Sequence, residues 1–122
     1  MHVPAEKLSP ELQAGELETR GDVWGDQHIR HCDLPAGTDM TPLLKGLPGD
    51  LCSCPHYGVM LEGSMTLRYA DGTEETTEAG EYYYWPAGHT GWTTGGAVFY
   101  EISPAAEIAP VLQHIGAQLA AT

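Results

Sequence analysis

Fifteen glycines and nine prolines interrupt this chain of 122 residues, and their scatter decides most of what it can become. Each weakens or stops a helix interior, so a helix bundle is excluded. Short strands joined by tight turns place both residue types at their corners. The glycines and prolines follow no period and build no low-complexity run, so neither a collagen repeat nor a linker explains them. A chain of this length buries one core, and residues 1–122 are read as a single domain.

Turn signals and alternation then outline the strands. Gly21 to Asp33 looks extended, and Pro35-Ala36-Gly37 ends it. Thr41 to Leu44 is a short apolar patch ahead of the Gly46–Asp50 loop. The strongest strand signal lies within 52–69, where Val59, Leu61, Met65, Leu67 and Tyr69 alternate with Met60, Glu62, Ser64, Thr66 and Arg68. Asp71-Gly72 is a hairpin turn, with Thr73–Glu78 as its polar return strand. Ala79-Gly80-Glu81 and Pro86-Ala87-Gly88 bracket an aromatic strand, Tyr82–Trp85; Trp92–Thr94 and Ala97–Ile102 follow. Beyond Ser103-Pro104, Val111, Ile115 and Leu119 recur at i, i+4 and i+8 beside Leu112, a helical stripe suited to docking on a sheet. Pro110 is read as the first residue of that final helix. Residues 1–21 are polar and weakly patterned, an extension with at most one helical turn at Ser9-Pro10-Glu11. The expectation is an all-β barrel or sandwich of about seven to nine strands. Its core spans about 22–103 and a helical tail 104–122.

Charge bounds the partners. Five basic residues against 17 acidic ones give a net charge of −12. Such a surface offers no face for phosphates, which argues against nucleic acid, and none for an anionic membrane. Hydrophobic residues make up 42% of the chain, so the acidity is a solvated exterior and not a sign of disorder. No apolar run reaches a membrane span, and Met1 to Gly15 has no signal-peptide pattern. Three cysteines, an odd count without a secretion signal, point to free thiols in a reducing compartment, read as the cytoplasm.

The stretch Val59-Met60-Leu61-Glu62-Gly63-Ser64-Met65-Thr66-Leu67, followed by Asp71-Gly72, resembles the first cupin motif. Gly80, Pro86 and Gly88 resemble the second, a glycine, five residues and Pro-x-Gly, with His89 directly after. The resemblance covers roughly residues 30–102. It implies a double-stranded β-helix (jelly-roll) barrel, here with a short C-terminal helix, a homodimer, and a divalent metal near the open end. It also implies that Tyr82, Tyr84 and Trp92 line one wall of the barrel. The chain is further similar to small actinobacterial-type cupins of uncharacterised function that carry Cys-x-Cys-Pro-His and Pro-x-Gly-His-Thr.

The usual cupin ligands do not transfer. The two upstream histidine positions fall on Asp50 and Cys52, the glutamate position on His56, and the second-motif histidine position on Gly91. In their place stands Cys52-x-Cys54-x-His56, whose side chains share one face of an extended strand. His89 could complete a set of two cysteines and two histidines, or of one and two. Such donors suit zinc first, then iron or copper, with nickel and manganese as alternatives. The plainer reading makes Cys52 and Cys54 core residues, since free cysteine packs as a small hydrophobe, and makes His89 a turn residue. His28 and Cys32 share a parity on the early strand and either line the barrel or pack in its core. Parity also poses a problem, because Cys52, Cys54 and His56 are even while the cleaner apolar set is odd. Either both faces are covered, or a bulge at Pro55 and Gly58 breaks the register.

Three functions follow. One is a metal-dependent enzyme acting on a small-molecule ligand, of oxygenase, isomerase or lyase type. Another is a binding or sensory module with a closed structural zinc site. The last is a metal-free cupin. No serine sits in a nucleophile elbow and no glycine-rich loop cradles phosphate.

Overall fold

The computed structural model describes residues 1–121. Eight strands follow in chain order: β1 (Pro10–Ala14), β2 (Leu17–Trp24), β3 (Gln27–Leu34), β4 (His56–Tyr69), β5 (Glu74–Glu78), β6 (Tyr82–Trp85), β7 (His89–Trp92) and β8 (Ala97–Pro104). A short helix α1 (Thr41–Leu44) lies between β3 and β4, and α2 (Ala105–Ala120) follows β8. All strand pairs are antiparallel, in the order β1-β2-β3-β8-β4-β5, with β6 and β7 also on β4. The first half of β4 pairs with β8 and β6, its second half with β5 and β7. A 14-residue strand that leaves one sheet and enters another folds the strands over a common core, the jelly-roll solution to exposed edges.

The parity problem is resolved inside β4. The register against β8 shifts between Met60 and Glu62. Gly63 there adopts φ 74, and a Cβ on it would run into the Gly96 carbonyl oxygen. This is a bulge, which exchanges the strand's two faces. Before it His56 and Met60 point inward; after it Met65 and Leu67 do. Both parities are therefore interior, and the break falls at Leu61, not at Pro55 or Gly58.

Two expectations about the ends need correction. The stretch read as an extension supplies β1 and β2, and the helical turn expected at Ser9-Pro10-Glu11 is the start of a strand. Leu12, Leu17 and Thr19 from these strands are buried. Their alternation is hidden because charged residues separate so few inward positions. At the other end, α2 does not begin at Pro110 but runs through it, burying Ile108, Val111 and Ile115. The helix is held down at α1: His114 Nε2 and Gln118 Nε2 both donate to the Lys45 carbonyl, at 2.7 and 3.1 Å. His114 is thus half-buried. Of the tail read as 104–122, Thr122 lies outside the described residues. No helix among the described residues is long and apolar enough to cross a membrane.

Candidate metal centre

A single bridge sets the first two ligand candidates together. The Cys52 N–H donates to the His89 carbonyl at 2.8 Å, and the Cys52 carbonyl accepts from the Gly88 N–H at 2.7 Å. Cys52 therefore faces His89, the first residue of β7. His56, the first residue of β4, pairs with Trp85 of β6, so a short turn, Pro86–Gly88, separates its partner from His89. The donor atoms of Cys52, His56 and His89 all lie within 4.8 Å of one another, and all three residues are buried. Cys52 Sγ and His56 Nε2 are 3.4 Å apart. That matches the ligand–ligand edge of a tetrahedral zinc site, about 3.5 Å for bonds of about 2.3 and 2.0 Å.

The far nitrogen of each imidazole is occupied. His89 Nδ1 donates to the Pro86 carbonyl at 2.6 Å, and His56 Nδ1 lies 2.7 Å from Ser103 Oγ. Such partners set the tautomer and orientation of a ligating histidine and leave Nε2 for the metal. Burial lowers the His56 pKa to about 4, against the pull of the Glu101 carboxylate 3.6 Å from Nδ1. Burial lowers that of His89 as well. Burial pushes the Cys52 thiol up to about 11. Three neutral donors thus face one point, and a divalent cation binding there would displace the thiol proton. The donor chemistry and spacing fit a transition metal.

Behind the cluster lies a buried network that alternation along the sequence did not single out. Arg30 Nη1 donates to Glu101 Oε2 at 2.7 Å, and its Nε donates to Glu11 Oε2 at 3.0 Å. The Tyr83 hydroxyl donates to Glu101 Oε1 at 3.2 Å. Burial opposes ionisation of Glu101, yet the adjacent His56 imidazole and the Arg30 guanidinium hold its pKa below the usual carboxylate range. One signal was available: Arg30 shares the inward parity of Cys32 and Leu34, and a charge at an inward strand position demands a partner.

The other sequence candidates separate. Cys54 is fully buried, but its thiol donates to the Pro55 carbonyl at 3.3 Å and does not join the cluster. Cys52 and Cys54 lie ahead of β4, which begins at His56, so the single strand face that the i, i+2, i+4 spacing assumed does not form. Cys32 lines the interior cavity. His28 does not; its Nε2 lies 2.6 Å from Glu11 Oε1 near the barrel edge. Tyr82 and Tyr84 point outward, 88% and 53% exposed, while Tyr83 and Trp85 fill the interior. The wall is therefore built from the odd members of that strand, which the aromatic run Tyr82–Trp85 could not reveal because every position is aromatic. Trp92 lies under the Arg68 guanidinium, 5.0 Å from its ring centre, and not in the cavity.

That cavity, of about 80 Å³, is bounded by Cys52, His56 and His89 on one side. Barrel residues such as Met65, Leu67 and Phe99 line it together with residues of α1 and α2.

No protein-family pattern matches the sequence, and no curated protein matches it. Solved structures do match. A Rhizobium leguminosarum protein of unknown function is similar at a TM-score of 0.63 and 20% identity, over 84% of this chain and 94% of that one. An RmlC-like cupin from Shewanella frigidimarina is similar at 0.60 and 16% identity, over 86% and 91%. Bacillus subtilis oxalate decarboxylase, which has Mn(II) centres, is similar at 0.58 and 15% identity, over 82% of this chain but 28% of its own. Eight antiparallel strands, the β4 crossover and these likenesses agree: the fold of this chain is that of the cupins.

Proposed function

We propose that this chain is a metal-binding cupin that handles a small molecule at a three-ligand centre of Cys52, His56 and His89. The observation that carries the reading is three buried donors within 4.8 Å of one another on the wall of a cavity. One thiolate and two imidazoles suit zinc best, with iron, copper or nickel next; manganese prefers oxygen donors. Three protein ligands leave a coordination position for substrate, where a bound ion would polarise a carbonyl or activate water. The chain's own residues supply the rest. The Pro86 carbonyl and Ser103 orient the two imidazoles, the Cys52–His89 bridge holds the thiol in place, and apolar residues of α1 and α2 line the cavity beside them. Cys54, turned towards Pro55, favours this open centre over a closed four-ligand zinc site.

Elemental analysis of purified protein tests the reading. Stoichiometric zinc, or another transition metal, is expected in the wild type and should be lost in Cys52→Ala. A wild-type protein that holds no metal even after supplementation overturns it.

The free thiols support a reducing compartment, which we take as the cytoplasm. A homodimer is also proposed. The outer face of β3, β8, β4 and β6 carries two rows, Ile29, Ile102, Tyr57 and Tyr84 beside His31, Tyr100, Val59 and Tyr82. Neither row contains a carboxylate, on a chain whose acidic surface otherwise repels its own copies. A second copy packed there would cover aromatic side chains that are 45–88% exposed.

A further inference from the structure

We infer that the cavity beside Cys52, His56 and His89 takes a small uncharged molecule and rejects carboxylates. The inference rests on the metal reading above and names the class of ligand it admits. Size comes first. A cavity near 150 Å³ admits benzene, so one of about 80 Å³ holds a molecule of about three or four non-hydrogen atoms. The wall chemistry comes second, since apart from the ligands and the Arg30–Glu101 pair it is largely aliphatic and aromatic.

Charge decides the rest. Among the described residues lining the cavity, Arg30 is the one lysine or arginine, and both Glu11 and Glu101 already engage it. No fully buried side-chain nitrogen or oxygen among the described residues lacks a hydrogen-bond partner, so no spare buried donor awaits an anion. The two carboxylates on Arg30 leave its guanidinium no free face for another anion. Glu101 itself lines the cavity, its carboxylate 3.6 Å from His56 Nδ1. A bound carboxylate would therefore enter a buried setting beside a like charge and without a free donor, where burial of a charge is most unfavourable. The net charge of −12 also disfavours the approach of an anion.

Cobalt-loaded protein tests this, because the visible bands of Co(II) report on what binds it. Acetamide and acetate have the same shape and differ in charge; benzamide is larger. At about pH 8, where imidazoles are neutral, acetamide is expected to shift the bands and to bind at least about tenfold more tightly than acetate. That order would reverse the one the two show towards aqueous cobalt. Benzamide should leave the bands unchanged. Acetate binding as tightly as acetamide, benzamide binding as well as acetamide, or neither small probe binding overturns the inference while leaving the metal reading intact. A protein that takes up no cobalt overturns the metal reading, and the inference falls with it.

Discussion

His56 is where burial and chemistry meet most sharply. In the folded protein its pKa is lowered to about 4 by burial, below the ordinary 6.5. The unfolded chain therefore binds a proton that the folded one refuses. The stability this represents is complete above about pH 6.5 and is lost as pH falls towards 4, about 3 kcal/mol in all. Chelator-treated protein should show its urea midpoint falling across that window, and His56→Gln should flatten the fall; a wild-type midpoint constant from pH 6.5 to 4 contradicts it. The cysteines divide at the same scale. Cys54→Ala should keep the metal that Cys52→Ala loses, at a stability cost of about 1 kcal/mol for the deleted buried thiol. Loss of metal in both variants would place Cys54 back among the ligands. Cys52, His56 and His89 were legible as candidates from residue type and motif position. Glu101 was not, because nothing local marks a glutamate whose partners, Arg30 and Tyr83, lie far away in sequence.

At the scale of elements, α2 carries a proline in its interior. Pro110 cannot donate to the Ala106 carbonyl, and its side chain is exposed. Pro110→Ala restores that bond and is expected to raise stability by about 1–3 kcal/mol, seen as a higher thermal midpoint with unchanged metal content. A lower midpoint would show that the proline's restriction of the unfolded chain outweighs the missing bond. Gly58 has the opposite character. A Cβ there would meet the Tyr100 carbonyl and the Tyr83 hydroxyl, so Gly58→Ala should cost about 3 kcal/mol or disrupt folding; a variant with a wild-type urea midpoint would contradict that. The hairpin at Asp71-Gly72, the aromatic strand β6 and the apolar stripe of α2 could be read directly, because turn chemistry and periodicity are local properties. The bulge in β4 could not. Its signature, a glycine pressed against the Gly96 carbonyl, exists only once β8 lies alongside.

For the molecule as a whole, the proposed dimer is open to a direct check. Tyr84 stacks on Tyr57 at the β6 end of its exposed row, ring centres 4.9 Å apart. Wild-type protein should sediment as a dimer, and Tyr84→Asp, which places a carboxylate in that face, as a monomer with its fold intact. A wild-type monomer at every concentration contradicts it. By itself the sequence determined an all-β barrel with a docked C-terminal helix, an acidic exterior, and a short set of candidate ligands. Those follow from glycine and proline spacing, alternation, charge count and residue type, which need no partner to be expressed. Tertiary structure alone decided which cysteine joins the histidines, that the first 21 residues contribute strands, which face of β6 is the interior, and that Arg30 is already spent on two carboxylates. Each of those depends on contacts between segments distant in the chain: the Cys52–His89 bridge, the pairing of β1 and β2, the bulge opposite β8, and the reach of Glu11 and Glu101 to one guanidinium.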